Sequence, residues 1–265
     1  MASEKRVTCS ECGNSYDRLL LRCPFCHRGN DERPNTRVTY LPFPHQLSLF
    51  LVGLIGLNVL AVIFSIIFSV TIKDNDPYRY LVINSLTYAS LFVVDFCIVL
   101  KYYNEFFEPF KKGRTYIAGL IGFGVVYGGS VLISFIMSLL VPSAGTGENQ
   151  SIAELMILNN PVLCLFVLGL IGPFVEECAY RIGLFSICKR ASRILAYALT
   201  IIVFAVIHVD FFSSNIVNEL VALPDYLFAA AIFCLLYDFE GFGAVFIAHA
   251  LNNILSVILI VTTTN

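Results

Sequence analysis

Long apolar stretches alternate with short polar segments over most of this chain. Seven apolar segments follow a polar head of about 46 residues, at about 47–72, 81–103, 115–141, 155–188, 194–209, 223–237 and 242–261. A helix needs about 20 apolar residues to cross the hydrocarbon core of a bilayer. Most segments meet that length. The pattern therefore predicts an all-α polytopic membrane protein, a bundle of about 7–8 transmembrane helices.

Two of the segments depart from a simple spanning helix. The fourth is too long for one straight span, and Pro161 and Pro173 within it predict a bend. The sixth is short and starts with Pro224 and Asp225. It is therefore the weakest of the predicted spans.

Composition and charge narrow the class of protein. The chain is 57% hydrophobic and 14% charged, which is typical of a membrane protein and not of a soluble domain. Its net charge of −2 argues against nucleic-acid binding. The first long apolar run begins near Leu47, too late for a cleavable signal peptide.

The distribution of basic residues predicts the orientation of the chain. Alternate loops on the side of the N-terminus carry most of the 17 Lys and Arg, while the opposite side has Lys73 and Arg79. Because basic loops stay in the cytoplasm, the N-terminus is expected in the cytosol. Seven spans would place the C-terminus outside.

The polar head has the cysteine spacing of a small metal-binding domain. Cys9-x-x-Cys12 and Cys23-x-x-Cys26 form two knuckles, ten residues apart. Four thiolates around one structural Zn²⁺ are the expected arrangement, since disulfides are rare in the cytosol. We predict a zinc ribbon at 1–30, a linker at 31–46 and a membrane domain at 47–265. The ribbon has three possible roles: docking a cytosolic partner, presenting substrate or capping the membrane domain.

Three charged residues lie inside the fourth apolar segment. Each of Glu176, Glu177 and Arg181 costs roughly 2.5–3.5 kcal/mol at the bilayer centre, so each requires a partner, a cavity or a function. Glu177 and Arg181 are four residues apart on one helix face and can pair. Glu176 points about 100° away and can face a cavity.

Polar groups in later segments reach a similar depth. The helical rise places His208, His249 and Asn253 roughly 13–22 Å from the cytosolic side, and Glu176 about 20 Å from it. A carboxylate, two imidazoles and a carboxamide suit amide hydrolysis by activated water. Two histidines and a glutamate are also a catalytic zinc set, so a catalytic metal stays open. Helix–helix contacts are the simpler alternative, and for Asn84 and Asp95 we expect either such contacts or gating groups.

Three motifs in order resemble a known family. Glu176-Glu177-x-x-x-Arg181, Phe204-x-x-x-His208 and His249-x-x-x-Asn253 are similar to the CPBP (CAAX protease and bacteriocin-processing) intramembrane proteases, which include Rce1-type enzymes. The resemblance covers about residues 161–260 and implies about eight helices around a conical cavity.

The resemblance also implies roles for these residues. Glu176 would be the catalytic base and His208 a second essential group, while His249 and Asn253 would position water or stabilise the oxyanion. Glu177 and Arg181 would support the site. One departure is that the family commonly has glycine directly after the arginine, whereas Ile182 precedes Gly183 here.

The sequence therefore predicts an intramembrane endopeptidase that hydrolyses peptide bonds of membrane-associated substrates with glutamate-activated water. The zinc ribbon is unlike the prenyl-processing members, which favours a prokaryotic plasma membrane. One alternative is a non-catalytic regulator with the same fold. The other is a proton-coupled transporter, which would be expected to show an internal repeat.

Overall fold

A computed structural model describes residues 6–73 and 76–264, and it is almost entirely helical. One small antiparallel hairpin pairs β1 (Arg6–Thr8) with β2 (Ser15–Asp17). The helices are α1 (Phe43–Phe68), α2 (Pro77–Leu100), α3 (Tyr103–Phe107), α4 (Gly113–Leu140), α5 (Glu148–Asn159), α6 (Pro161–Ala191), α7 (Arg193–Val206), α8 (Ile216–Glu240) and α9 (Phe242–Thr264). The predicted fold class is confirmed.

The helices differ in whether they can cross a membrane. Within the described ranges, six are long and apolar enough: α1, α2, α4, α6, α8 and α9. The fifth predicted segment instead forms α7, whose 14 residues extend about 21 Å, short of the roughly 30 Å hydrocarbon core. The weak sixth segment is a full helix of 25 residues with Pro224 inside it.

Helix α6 carries the charged motif and is irregular on both sides of it. Pro161 starts the helix, where a missing N–H costs nothing, and the Asn160 side chain caps it. Two π-helical stretches, Val167–Ile171 and Cys178–Phe185, flank the turn that contains the two glutamates. Such stretches rotate the side chains that follow them and are frequent at functional sites.

Charged side chains gather at one end of the bundle, where the ribbon packs. Lys189 and Arg193 both contact the Asp238 carboxylate. Arg190 pairs with Asp17 of the ribbon. We name this end the ribbon face.

Arg190 joins the ribbon and its linker to helix α6. Its guanidinium donates to the Leu41 carbonyl at 3.0 Å and to Gln46 Oε1 at 2.9 Å. Gln46 in turn donates to the Ile182 carbonyl at 3.0 Å, next to the motif arginine. The predicted linker thus ends in ordered, buried chain, with Val38 and Leu41 fully inaccessible.

Gly183 allows α1 and α6 to touch backbone to backbone. A Cβ at this position would lie 2.9 Å from Phe50 N and 3.0 Å from Phe50 Cα. We expect Gly183→Ala to lower the unfolding free energy by about 1–3 kcal/mol, because backbone cannot move aside easily. Unfolding in mixed micelles measures this.

Gly128 provides the matched control. It lies within α4, and a Cβ there would meet no atom within 4 Å. Gly128→Ala should leave stability unchanged or raise it slightly, since alanine favours helix. Equal behaviour of the two variants would contradict the close approach at Gly183.

Candidate active site

Glu176 is placed by α6 at the wall of an internal cavity. Its side chain is 12% exposed, and Oε1 accepts a hydrogen bond of 3.1 Å from the Tyr88 hydroxyl. Its other oxygen, Oε2, lies 3.8 Å from His249 Nε2. That separation is too long for a direct hydrogen bond and leaves the carboxylate open to a bound water.

Glu177 and Arg181 lie behind the cavity wall and not on it. Both side chains are fully buried, and Arg181 Nε is 3.1 Å from Glu177 Oε2, an ion pair outside hydrogen-bond geometry. The guanidinium also lies 4.5 Å from the centre of the Phe204 ring. The predicted i, i+4 pairing is thus present, and an aromatic face adds a cation–π contact.

His249 connects this buried pair to the cavity. Its Nδ1–H donates to Glu177 Oε1 at 2.8 Å, and its ring stacks on Phe233 at 4.6 Å. A carboxylate acceptor at Nδ1 fixes the tautomer, so Nε2 is the free nitrogen and faces Glu176.

His208 follows α7 and is held in a similar way. Its Nδ1 lies 2.6 Å from the Phe204 carbonyl, to which it donates, and its ring stacks on Tyr226 at 4.8 Å. The same bond satisfies a carbonyl of the last helical turn, which would otherwise be left without a partner. Nε2 is again the free nitrogen.

Asn253 is partly engaged with α6. Its Nδ2 donates to the Leu168 carbonyl at 3.0 Å, within the first π-helical stretch of that helix. The second hydrogen on Nδ2 and the oxygen Oδ1 stay available to the cavity.

One cavity of about 520 Å³ brings these groups together. Glu176, His208, His249 and Asn253 line it, whereas Glu177 and Arg181 do not. Apolar side chains such as Ile133, Met137, Val221 and Leu168 form much of the remaining wall.

The sequence reasoning missed two side chains of α8 that bind backbone N–H groups of neighbouring segments beside the cavity. Glu219 is 1% exposed and accepts from the backbone N–H groups of Glu148 and Asp210, at 2.6 and 3.0 Å. Asn218 accepts from Gly145 N at 2.8 Å. Both precede the predicted sixth segment, so apolar patterning gave no signal for them.

The residue of the second apolar segment that contacts the site is not one of the two that we singled out from the sequence. Tyr88 reaches Glu176, although we singled out Asn84 and Asp95. Asn84 donates to the Tyr80 carbonyl of its own helix, and Asp95 is fully buried away from the cavity. Tyr88 follows Asn84 by one helical turn and so lies on the same helix face, but nothing in the sequence distinguishes it from other tyrosines in apolar segments.

At the ribbon face, the four predicted cysteines form a compact cluster. All four sulfur atoms of Cys9, Cys12, Cys23 and Cys26 lie within 4.8 Å of one another, the sole such group of three or more metal-binding side chains in residues 6–73 and 76–264. Two Sγ–Sγ distances are 3.5 and 3.7 Å. A tetrahedral zinc with bonds of about 2.3 Å needs roughly 3.8 Å.

The chemistry of the cluster also suits a cation. Hydrogen bonds from the backbone and side-chain amides of Asn14 lower the pKa of Cys12 to about 6. They favour the thiolate, the form that binds metal. The four cysteines therefore fit a bound metal ion.

Comparison with known proteins identifies the segment that carries the cavity motifs. Residues 158–255 match the family model described as type II CAAX prenyl endopeptidase Rce1-like. The UPF0177 protein YvdC of Lactococcus lactis subsp. lactis (strain IL1403) is 25% identical over 135 residues, which are 50% of this chain and 49% of that protein. The chain thus matches about half the length of this relative. No solved structure matches the chain significantly.

The matched residues contain all three motifs and begin and end within a few residues of the range expected. The predicted resemblance is confirmed: residues 158–255 are similar to the type II CAAX prenyl endopeptidases of the Rce1-like family.

Proposed function

We propose that this protein is an intramembrane endopeptidase whose water nucleophile is activated by Glu176. The observation that carries the proposal is the pair formed by Glu176 Oε2 and His249 Nε2, 3.8 Å apart on the wall of a 520 Å³ cavity. The Rce1-like match supports a protease of this general class.

In this proposal each group has a task. Glu176 takes a proton from a water that His249 Nε2 holds as acceptor, and the water oxygen attacks the peptide carbonyl. Glu176 then delivers that proton to the leaving amine. Asn253 Nδ2 has a free hydrogen for the developing oxyanion.

Two more groups set the electrostatics of the reaction. Glu177 holds His249 in the required tautomer and Arg181 balances the charge of Glu177. His208 offers a second Nε2 to the water. The ligand atoms of Glu176, His208 and His249 do not all lie within 4.8 Å of one another, which favours water activation without a metal, and metal content is measured alongside activity.

Substrate, location and domain division are part of the proposal. The cavity suits a membrane-associated peptide or protein segment, and the six long helices place the enzyme in a bilayer. We propose a prokaryotic plasma membrane with a cytosolic N-terminus, a structural Zn²⁺ in a ribbon at 1–30, a linker at 31–46 and a protease domain at 47–265. A cytosolic partner for the ribbon is proposed, and nucleic acid is not.

A survey of peptide termini in membranes tests the proposal. Cells carry wild type, Glu176→Gln or the control Glu108→Gln at equal expression; Glu108 pairs with Lys111 at the surface. New termini are expected with wild type and Glu108→Gln, and they should disappear with Glu176→Gln. Identical termini in all three, together with an unchanged phenotype, would favour the non-catalytic regulator.

Purified protein then separates the two kinds of chemistry. Glutamate-activated water predicts cleavage of the identified substrate by protein that carries only the ribbon metal. Loss of cleavage with loss of a second bound zinc, while the ribbon stays folded, would assign the cavity to a catalytic metal.

A further inference from the structure

Tyr88 is a side chain outside the three motifs that contacts the proposed base. It lies on α2, lines the cavity and donates its hydroxyl hydrogen to Glu176 Oε1 at 3.1 Å. The two residues are 88 positions apart in the chain, so tertiary packing alone brings them together.

Tyr88 and Glu176 lie beside the same turn of α6. Gly172 lies one turn before Glu176, and a Cβ there would sit 3.7 Å from Tyr88 Cε1 and 3.9 Å from Glu176 Oε1, both ordinary van der Waals distances. The tyrosine ring therefore packs next to the helix turn that carries the carboxylate.

We propose that Tyr88 is a positioning residue for Glu176, an inference that rests on the proposed endopeptidase. The terminal torsion of a glutamate is broad, so the carboxylate needs a partner to fix its plane. Tyr88 holds Oε1 and leaves Oε2 directed at the cavity. Without that bond, Oε2 can close the 3.8 Å gap to His249 Nε2 and occupy the place of the water.

The test removes the hydroxyl alone. Tyr88→Phe is compared with Tyr80→Phe, a change of the same kind two turns earlier on α2, where the side chain is 36% exposed. Infrared difference spectra of reconstituted protein are recorded, and the carboxylate stretching bands that Glu176→Gln lacks report the hydrogen bonding of Glu176. Cleavage of the substrate found in the termini survey gives kcat and KM.

Tyr88→Phe is expected to shift these stretching bands, because the hydrogen bond from the tyrosine hydroxyl to Glu176 Oε1 is removed. It should also lower kcat roughly tenfold or more with little change in KM, since a charge-assisted hydrogen bond is removed near the reacting water. Tyr80→Phe should change none of these.

The outcomes separate this inference from the proposed function. Unchanged carboxylate bands in Tyr88→Phe, or wild-type kcat, would overturn the role of Tyr88 even if the enzyme is a protease. Shifted bands in protein that cleaves nothing would support the contact and overturn the endopeptidase.

Discussion

Arg181→Met is expected to lower the unfolding free energy of the membrane domain by about 3–5 kcal/mol. The substitution keeps an elongated side chain but removes the cation from a fully buried ion pair. The Glu177 carboxylate would then be a buried charge without its counter-ion, and breaking a buried pair from one side has a cost of this size. Unfolding in mixed micelles titrated with dodecyl sulfate measures the difference.

Two further variants decide whether the uncompensated charge is the cause. Glu177→Gln combined with Arg181→Met leaves neither charge, so most of the lost stability should return. Arg114→Met removes a guanidinium that is 62% exposed and paired with Glu240, and it should cost less than about 1 kcal/mol. If the double variant is as unstable as Arg181→Met, the loss comes from packing against Phe204.

Cys23→Ser is expected to abolish metal binding by the head and to unfold it. Cys23 is fully buried among the four sulfur atoms, and the head otherwise has a two-stranded hairpin and a few apolar side chains. Domains of this size draw most of their folding free energy from the metal. Elemental analysis should fall from one zinc per chain to about none, and backbone amides of residues 6–30 should lose their protection from hydrogen exchange.

Cys97→Ser is the matched control, because Cys97 is an exposed thiol on α2. The Cys97→Ser protein should keep its bound metal and the protection of its head amides from hydrogen exchange. A strong chelator applied to wild-type protein should reproduce the effect of Cys23→Ser. A head that stays protected without metal would show that docking through Arg190 suffices to fold it.

The sequence identifies a site residue when its chemistry is unusual for its surroundings. Ionisable groups in apolar helices are costly, so Glu176, His208 and His249 could be picked out without a structure. Tyr88 could not, because tyrosine is an ordinary residue in such helices and the chain has 13 of them. Its importance depends on which helix packs beside α6, and that is a tertiary property.

The end of α7 could not be predicted for a related reason. The apolar run continues past Val206, so hydropathy extends the helix through residue 209. The His208 side chain instead takes the Phe204 carbonyl, and the chain leaves the helix there. A hydropathy pattern does not show where a side chain will replace a backbone N–H as the partner of a helix carbonyl.

The Asp17–Arg190 pair can form only late in synthesis. The two residues are separated by 173 positions. Ribosomes add roughly 5–20 residues per second, so the head leaves the exit tunnel about 9–35 s before α6 is complete. Through that interval it has no docking site. With the zinc that we propose for its four cysteines, we therefore expect zinc supply during translation to decide whether the head reaches Arg190 already folded.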